Sequence, residues 1–282
     1  PRTLARFERE VRATAKLSHW NTIDIYDYGR AEDGTFYYVM EYLPGMSLAS
    51  IVDRFGPLPP ERVVYLLRQT CDALSEAHAA GLVHRDIKPA NIFAAQRGGH
   101  YDVAKLLDFG MVRPMSNMEH TELTQAGSIT GSPYFMSPEQ ATGESEPDAR
   151  SDIYSMGVVA YALLTGQPPF LGTQAVQIMV AHAQKTPPAP SEVNGNVPDD
   201  LEAVVMACLA KQPEELPPGA EKISEMLAKC RDYGAWTQEK AEQWWSSNRS
   251  RLPMEEHADT HSPLSDTGQL VNMEGRKCFW LV

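Results

Sequence analysis

The sequence predicts an α+β fold, in which a small part with one helix and short antiparallel strands precedes a larger, mainly helical part. Two runs rich in aromatic and β-branched residues, IDIYDYG at 23–29 and FYYVMEY at 36–42, flank a turn that contains Glu-Asp-Gly. Such a pattern is typical of a β-hairpin. From residue 47 onward most apolar residues instead recur at helical spacing. The strands therefore belong near the start of the chain, and the helices form the bulk of it.

The first element is a predicted helix over residues 3–17. Leu4, Phe7 and Val11 fall on one helical face, and Thr3 is suited to cap its N-terminus. After the second strand, the tripeptide Leu-Pro-Gly breaks the regular pattern. This break marks the passage from the small part to the large one.

The large part contains a series of predicted helices and one further hairpin. Apolar periodicity and Pro or Gly stop signals place the helices at 47–55, 61–80, 152–166, 173–183, 199–210, 219–231 and 236–245. NIFAAQ and VAKLLDF are two short apolar strands around a Gly-Gly turn. The segment 110–138 is rich in Ser, Thr and Gly, and a loop of that length is uncommon unless it is functional. The helix at 152–166 is apolar nearly all round, which predicts a position in the core.

We predict four regions along the chain. Residues 1–43 form the small part and residues 44–231 the large part. Residues 232–246 form a C-terminal helix that docks through its tryptophans. Residues 247–282 are polar and without pattern, and we expect no regular structure there.

Composition excludes several classes of protein. The net charge of −12 argues against nonspecific nucleic-acid binding, which needs a basic surface. No apolar run approaches the ~18 residues of a membrane span, and the first residues lack a signal-peptide pattern. The 4 cysteines are scattered without a CxxC pair, which favours reduced thiols over disulfides or zinc. We therefore expect a cytoplasmic protein, with a membrane anchor outside this sequence left open.

Four motifs then occur in a fixed order. HRDIKPAN at 84–91 is followed by DFG at 108–110, SPE at 137–139 and DIYSMG at 152–157. Together with FEREV, MEYLPG and GSPYFMSPEQ, they make the chain resemble a eukaryotic-type Ser/Thr protein kinase of the bacterial branch. The resemblance covers about residues 3–231 and implies a protein-kinase-like fold, ATP as the phosphate donor and protein substrates.

The resemblance assigns roles to the first two motifs. It implies that Asp86 accepts the proton of the substrate hydroxyl, and that Asn91 and Asp108 each hold Mg²⁺, with Mn²⁺ as an alternative. Lys88 would contact the γ-phosphate, and a lysine at this place resembles Ser/Thr kinases. Read without the resemblance, the Asp-Lys-Asn trio could be a solvated surface turn.

The resemblance also places the nucleotide. Glu10 lies where the family has the glutamate that pairs with the ATP-binding lysine, although alone it is one charge on a solvated face. Met40 would be the gatekeeper, and the backbones of Glu41 and Leu43 would meet the adenine. Phe93 would lie under the adenine, a position that differs little from that of an ordinary residue of the hydrophobic core.

The long loop carries a predicted switch. In this family an arginine directly before the catalytic aspartate, here Arg85, accompanies control by phosphorylation of the long loop. The reason is that an arginine on the buried side of the loop is stabilised when an anion binds it. The candidate phosphate acceptors in the loop are Thr121, Thr124, Ser128 and Thr130. Autophosphorylation would entail self-association of two kinase domains.

The chain departs from the family pattern in two ways. It contains neither a Gly-rich phosphate loop nor a strand lysine of the VAIK type, so we expect it to be a fragment with weak or no activity. In KQPEELPP, Leu216 replaces the arginine that would pair with Glu139. We expect Glu139 either to use another cation or to meet water through a shift of 211–219. The candidate cations are Arg150, Lys211 and Lys222.

Three functions therefore remain open. The first is an ATP-dependent Ser/Thr protein kinase. The second is a pseudokinase that scaffolds or regulates, which the missing lysine favours and the three intact motif residues disfavour. The third is a small-molecule phosphotransferase, which would lack the long loop that ends in SPE.

Overall fold

The computed structural model describes residues 14–30, 36–107, 133–143, 145–252, 269–273 and 276–281, the last two ranges as backbone only. The predicted hairpin is present as β1 (Ile25–Arg30) and β2 (Phe36–Glu41), which pair antiparallel. Aromatic and β-branched side chains favour these strands, because they fit a pleated, half-buried surface. The predicted strand positions are confirmed to within two residues at each end.

Two further strands come from the C-terminal segment. β6 (Gln269–Met273) and β7 (Arg276–Leu281) form a hairpin, and β7 pairs antiparallel with β2, giving the sheet order β1-β2-β7-β6. Regular structure was not predicted for residues 247–282, and the two strands correct this expectation. The missed signal is local: QLVNM and RKCFWL are strand-forming runs on either side of Glu-Gly. Their partner is the edge of β2, whose backbone groups would otherwise lack a neighbouring strand.

The large part opens with a second sheet and two helices. β3 (Gly45–Ser47), β4 (Ile92–Arg97) and β5 (His100–Leu106) form an antiparallel sheet in the order β3-β4-β5. α1 (Leu48–Phe55) begins where the Ser47 side chain accepts from the Ser50 backbone N–H. α2 (Pro60–Ala79) has proline in its first turn, where the missing N–H costs nothing. Both helices lie within two residues of their predicted bounds.

The remaining helices pack against one another, against α2 and against β5. They are α3 (Pro138–Thr142), α4 (Ala149–Thr165), α5 (Ala175–Gln184), α6 (Pro190–Val193), α7 (Asp199–Cys208), α8 (Ala220–Leu227) and α9 (Gln238–Ser247). α4 is buried from Ser151 to Leu164, as its all-round apolar sequence predicts. Gly157 lets α7 approach it, since a Cβ there would lie 2.7 Å from the Cβ of Cys208. No helix in the described ranges has the length and apolar character of a membrane span.

The C-terminal helix α9 lies against a buried ion pair. Asp102, on β5, receives two hydrogen bonds from the Arg62 guanidinium, and neither side chain is exposed. The indole N–H groups of Trp236 and Trp245 also donate to this carboxylate, at 2.9 and 2.7 Å. The ring of Trp244 covers the guanidinium, with 3.8 Å between its centroid and the Arg62 Cζ. Buried charges are stabilising only when they are paired and hydrogen-bonded, and four donors meet that need here.

We predict that Trp245→Phe lowers the free energy of unfolding by ~1–3 kcal/mol, because a buried carboxylate oxygen loses a donor where water is excluded. Chemical denaturation of this chain measures the effect. Trp20→Phe is the matched control, since Trp20 is 52% exposed. Equal midpoints for the two variants would contradict the role assigned to the indole N–H.

Candidate active site

Asp86, Lys88 and Asn91 come together in the loop between α2 and β4. Lys88 Nζ lies 2.7 Å from Asp86 Oδ2, and Asn91 Nδ2 donates to the same oxygen at 3.2 Å. Asn91 Nδ2 also donates to the Asp86 backbone carbonyl at 2.8 Å. Asp86 and Lys88 are about a quarter exposed, at 26% and 25%. The trio is therefore an organised, solvent-reachable cluster and not a solvated turn.

A single buried carboxylate holds this loop from below. The two oxygens of Asp152, in the first turn of α4, accept from the backbone N–H groups of His84 and Arg85, each at 2.8 Å. His78 Nε2, on α2, lies 2.8 Å from one of the same oxygens. Arg85 adopts φ 66°, a left-handed backbone conformation that residues other than glycine rarely take. The bonds to Asp152 offset the cost of that conformation.

The loop also fixes the end of β5. His84 Nε2 lies 2.7 Å from the Leu107 carbonyl, so this nitrogen carries the hydrogen, because a carbonyl oxygen only accepts. The Leu107 N–H in turn donates to the Asn91 carbonyl at 2.9 Å. Both backbone groups of Leu107 are thus held by the loop, one residue before Asp108.

Several predicted site residues lie outside the described residues. These are Glu10, Asp108, Thr121, Thr124, Ser128 and Thr130. Their assigned roles stay predictions. Within the described residues, no cluster of three or more His, Cys, Asp or Glu side chains forms a metal site.

The donor set at Asn91 nevertheless fits a hard cation. Its amide nitrogen is used by Asp86, so the amide oxygen points to the other side of the side chain. An amide oxygen together with a carboxylate is the ligand chemistry that Mg²⁺ and Mn²⁺ prefer. Asn91 itself is only 8% exposed, so its side chain is firmly placed.

The predicted adenine contacts lie on β2, on β4 and in the loop after β2. Met40 is buried in β2, Leu43 is half-buried after it, and Phe93 is half-buried in β4, opposite Lys105. The backbone N–H of Glu41 donates to the Asp24 carbonyl at 2.9 Å, and the register pairs Glu41 with Cys278 of β7. The adenine contacts of these residues remain predictions.

The Glu41 side chain has a role that sequence reasoning missed. It is buried and lies 2.6 Å from the ammonium of Lys105, which is itself fully buried on β5 and also donates to the Thr22 carbonyl. Arg97 bonds to the same carboxylate. Burial lowers the pKa of Lys105, and the hydrogen bond that its ammonium donates to the Glu41 carboxylate opposes that effect. The signal in the sequence was a single lysine inside the apolar run VAKLL.

Arg85 and Gln140 connect the loop to the segment that follows the long loop. Gln140 Nε2, on α3, donates to the Arg85 carbonyl at 2.8 Å. The Nε of Arg85 is buried and has no hydrogen-bond partner in the described structure. A guanidinium N–H without a partner is costly unless an acceptor, such as an anion, reaches it.

The environment of Glu139 corrects one expectation. Arg150 pairs with Asp148 at 2.8 Å, and Lys222 pairs with Glu225, so neither serves Glu139. Lys211 also bonds elsewhere, to the Tyr154 hydroxyl. Within the described ranges the partner of Glu139 is instead neutral, the hydroxyl of Ser151.

No candidate cation forms an ion pair with Glu139 in the described residues, because each has a nearer acceptor. Glu139, Lys211 and Leu216 line a cavity of about 30 Å³, which has room for a water molecule. Glu139 is only half-buried, so its charge is not stranded in a dry site. The expected contact with water remains consistent with this geometry.

Comparison with known proteins gives the family. Residues 2–227 match the family model described as the protein kinase domain. The chain is 41% identical over 229 residues to the serine/threonine-protein kinase pkn3 of Myxococcus xanthus, covering 80% of this chain and 42% of that protein. It is 40% identical over 217 residues to PknB of Mycobacterium leprae, covering 76% of this chain and 34% of that protein. The chain thus spans less than half the length of these relatives.

Solved structures agree with this result. The kinase domain of Mycobacterium tuberculosis PknI is similar with a TM-score of 0.62 and 25% identity, covering 81% of this chain and 79% of that one. Rad53 in complex with AMP-PNP is similar in fold, with a TM-score of 0.65 and 23% identity, covering 78% of this chain and 53% of that one. The match to the family model and to these relatives over most of the sequence leads to one conclusion: the chain belongs to the protein kinase family, as a eukaryotic-type serine/threonine kinase of bacterial type.

Proposed function

We propose that the protein carrying this chain transfers the γ-phosphate of ATP to Ser and Thr hydroxyls of protein substrates, with Asp86 as the proton acceptor. The observation that supports this most is the contact of Lys88 and Asn91 with one oxygen of the Asp86 carboxylate. Phosphoryl transfer depends on positioning and charge neutralisation more than on covalent chemistry. A fixed carboxylate supplies the positioning, and the lysine beside it supplies the charge neutralisation.

Each member of the trio has a separate task in this proposal. Asp86 is 26% exposed, so a substrate hydroxyl can reach its carboxylate. Lys88 brings a positive charge to the place where the phosphate is transferred. Asn91, with Asp108, would hold Mg²⁺ or Mn²⁺, which neutralises charge on the phosphates when bound. The bonds from Asn91 to Asp86 keep the carboxylate from turning away.

The chain by itself is proposed to be weak or inactive. Its sequence contains no G-x-G-x-x-G loop and no V-A-x-K strand lysine, which in protein kinases contact the ATP phosphates. A pseudokinase that binds partners is the second candidate, and the same two absences favour it. The intact Asp86, Lys88 and Asn91 cluster favours catalysis, because a scaffold needs none of these contacts.

Partners and location follow from this proposal. The partners are ATP and protein substrates, and autophosphorylation would bring two copies together. We propose that the domain works in the cytoplasm, where ATP is available.

Asp86→Asn should lower phosphorylation turnover by about two orders of magnitude or more in a longer protein that also carries the Gly-rich loop and strand lysine. The change removes a proton acceptor and keeps the shape of the side chain. Radiolabel transfer from ATP to a Ser/Thr peptide measures turnover, and calorimetry measures Mg-ATP affinity.

The same measurements separate the alternatives. Mg-ATP affinity should survive in Asp86→Asn, while the chain described here should bind Mg-ATP more weakly than the longer protein does. Turnover at the wild-type level in Asp86→Asn would sink the catalytic assignment. Absence of turnover in the longer wild-type protein would favour the pseudokinase. A low-micromolar affinity of this chain for Mg-ATP would overturn the proposal that it binds the nucleotide weakly.

Arg85 supports a proposal about control. Its buried Nε lacks a partner in the described part of the chain, and a phosphate on the long loop would supply a charge-assisted acceptor. We expect mass spectrometry of the active longer protein to find phosphate on at least one of Thr121, Thr124, Ser128 and Thr130. A fully active preparation with all four hydroxyls unmodified would count against this switch.

A further inference from the structure

The edge of β2 that faces away from β1 is occupied by a strand from the C-terminal segment. β7 (Arg276–Leu281) pairs antiparallel with β2 from Tyr38 to Glu41, and β6 pairs with the other side of β7. The match to the family model ends at residue 227, so it does not extend to this hairpin. The pairing of β7 with β2 is therefore a feature that the family match does not account for.

Backbone geometry identifies the amides of β2 that face β7. The N–H of Glu41 donates to the Asp24 carbonyl, which lies on the β1 side. Backbone N–H groups alternate between the two sides of a strand, so those of Met40 and Tyr38 face β7. The amide of Val39 faces β1, as that of Glu41 does. The amides of Met40 and Tyr38 therefore depend on β7 for their backbone partners.

The same geometry identifies the residues of β7 that bind β2. The register places Phe279 opposite Met40 and Leu281 opposite Tyr38. Directly opposed residues whose amides face each other exchange both backbone hydrogen bonds in an antiparallel pair. The N–H of Trp280, between them, then faces β6. Phe279 is thus the inner of the two residues that bind β2, and Leu281 lies at the end of the strand.

A strand on this edge lies beside the predicted adenine contacts. Met40 and Glu41 carry that prediction, and both residues are buried. Neighbouring strands lie ~4.8 Å apart, whereas a strand added outside β1 would lie about 10 Å from β2. In protein kinases the lysine that binds the ATP phosphates is carried by a strand. A strand that brings such a lysine to a nucleotide held at β2 therefore needs the edge that β7 occupies.

The hairpin is suited to compete for this edge. Residues 253–268 connect it to Leu252, so it is tethered to the domain that it binds. A short tether raises the effective concentration of a binding segment to about the millimolar range. Only Glu274 and Gly275 separate β6 from β7, and two-residue connections with glycine are among the commonest in hairpins. The two strands therefore form from local sequence and need only an open strand edge to dock on.

We propose that the edge of β2 opposite β1 is a strand-docking site beside the predicted adenine contacts, and that β7 is an autoinhibitory segment that fills it. In a longer protein that carries the Gly-rich loop and the strand lysine, β7 and the lysine strand exclude each other at this edge. The proposal rests on the function proposed above and adds regulation of its nucleotide site. With β7 docked, only a fraction of the molecules is competent for Mg-ATP, and the apparent affinity falls by that fraction.

Hydrogen exchange of this chain tests the pairing. Phe279→Pro removes the N–H that faces β2, and β7 is an interior strand, where proline is not accommodated. The amides of Tyr38 and Met40 should then exchange about a hundredfold faster than in the wild type. The amides of Val39 and Glu41 should keep their protection, because their partners are on β1.

Phe279→Tyr is the matched control, since it keeps the backbone N–H and the aromatic strand propensity. Its β2 amides should exchange as in the wild type. Core amides of α4 report whether the fold is intact, and deletion of residues 269–282 replaces Phe279→Pro if they lose protection. Unchanged exchange of Tyr38 and Met40 after removal of the pairing would overturn the docking of β7. A dimer by light scattering, with protection that depends on protein concentration, would overturn docking within one chain.

Calorimetry of Mg-ATP binding to the longer protein tests the competition. Phe279→Pro and deletion of residues 269–282 should each raise the Mg-ATP affinity about tenfold, because the competent fraction rises. Phe279→Tyr should leave that affinity unchanged. In the chain described here Phe279→Pro should leave the affinity low, because its sequence contains no V-A-x-K strand to take the edge.

Equal Mg-ATP affinity of the longer wild-type protein and its Phe279→Pro variant would overturn the autoinhibition. The calorimetric result does not require phosphate transfer. If Phe279→Pro raised the affinity but neither protein phosphorylated a peptide, the proposed kinase function would fail and the autoinhibition by β7 would stand. If both proteins phosphorylated a peptide with equal Mg-ATP affinity, the kinase function would stand and the autoinhibition would fail.

Discussion

The buried carboxylate of Asp152 is the constraint on which the site depends. It accepts from the backbone N–H groups of His84 and Arg85 and contacts His78. A carboxylate that is fully buried and has these donors is stable where it stands, and it fixes the backbone just before Asp86. The strained left-handed conformation of Arg85 persists because both neighbouring amides are bound.

Backbone contacts connect this loop to the neighbouring elements. His84 and Asn91 hold the two sides of Leu107, and so set the end of β5. β5 in turn carries Asp102, whose bonds to Arg62 and two indoles bring the C-terminal helix into the same packed unit. The site is thus supported from α4 on one side and from β5 on the other. Helix α9 follows the residues that match the family model, but it packs against β5 and so belongs to the same supporting structure.

Sequence reasoning succeeded where the signal is local. Helices and strands with clear periodicity fall close to their predicted bounds, and the spacing within HRDIKPAN brings Asp86, Lys88 and Asn91 together as predicted. It did not assign Asp152 a role, because that residue acts on atoms 67 and 68 positions away in the chain. The donors to Asp102 are also distant in sequence, from 40 positions for Arg62 to 143 positions for Trp245.

The other failures share a cause, since each needed a contact that only the fold creates. The strand hairpin near the C-terminus has strand-forming composition, but its partner is the distant edge of β2. The three candidate cations for Glu139 were chosen by nearness in sequence, whereas the fold gives Arg150 to Asp148 and leaves a hydroxyl for Glu139. Charge counting along the chain ranks candidates, but it does not say which acceptor each cation meets first.

Hydrogen exchange of the His84 and Arg85 amides in this chain tests the central claim most directly. If Asp152 holds a preformed catalytic loop, both amides exchange as slowly as core amides of α4, and Asp152→Asn accelerates their exchange more than that of α8 amides. Exchange of the wild-type amides at the rate of an open loop would contradict the account, because the loop would then lack the support that the rest of the site requires.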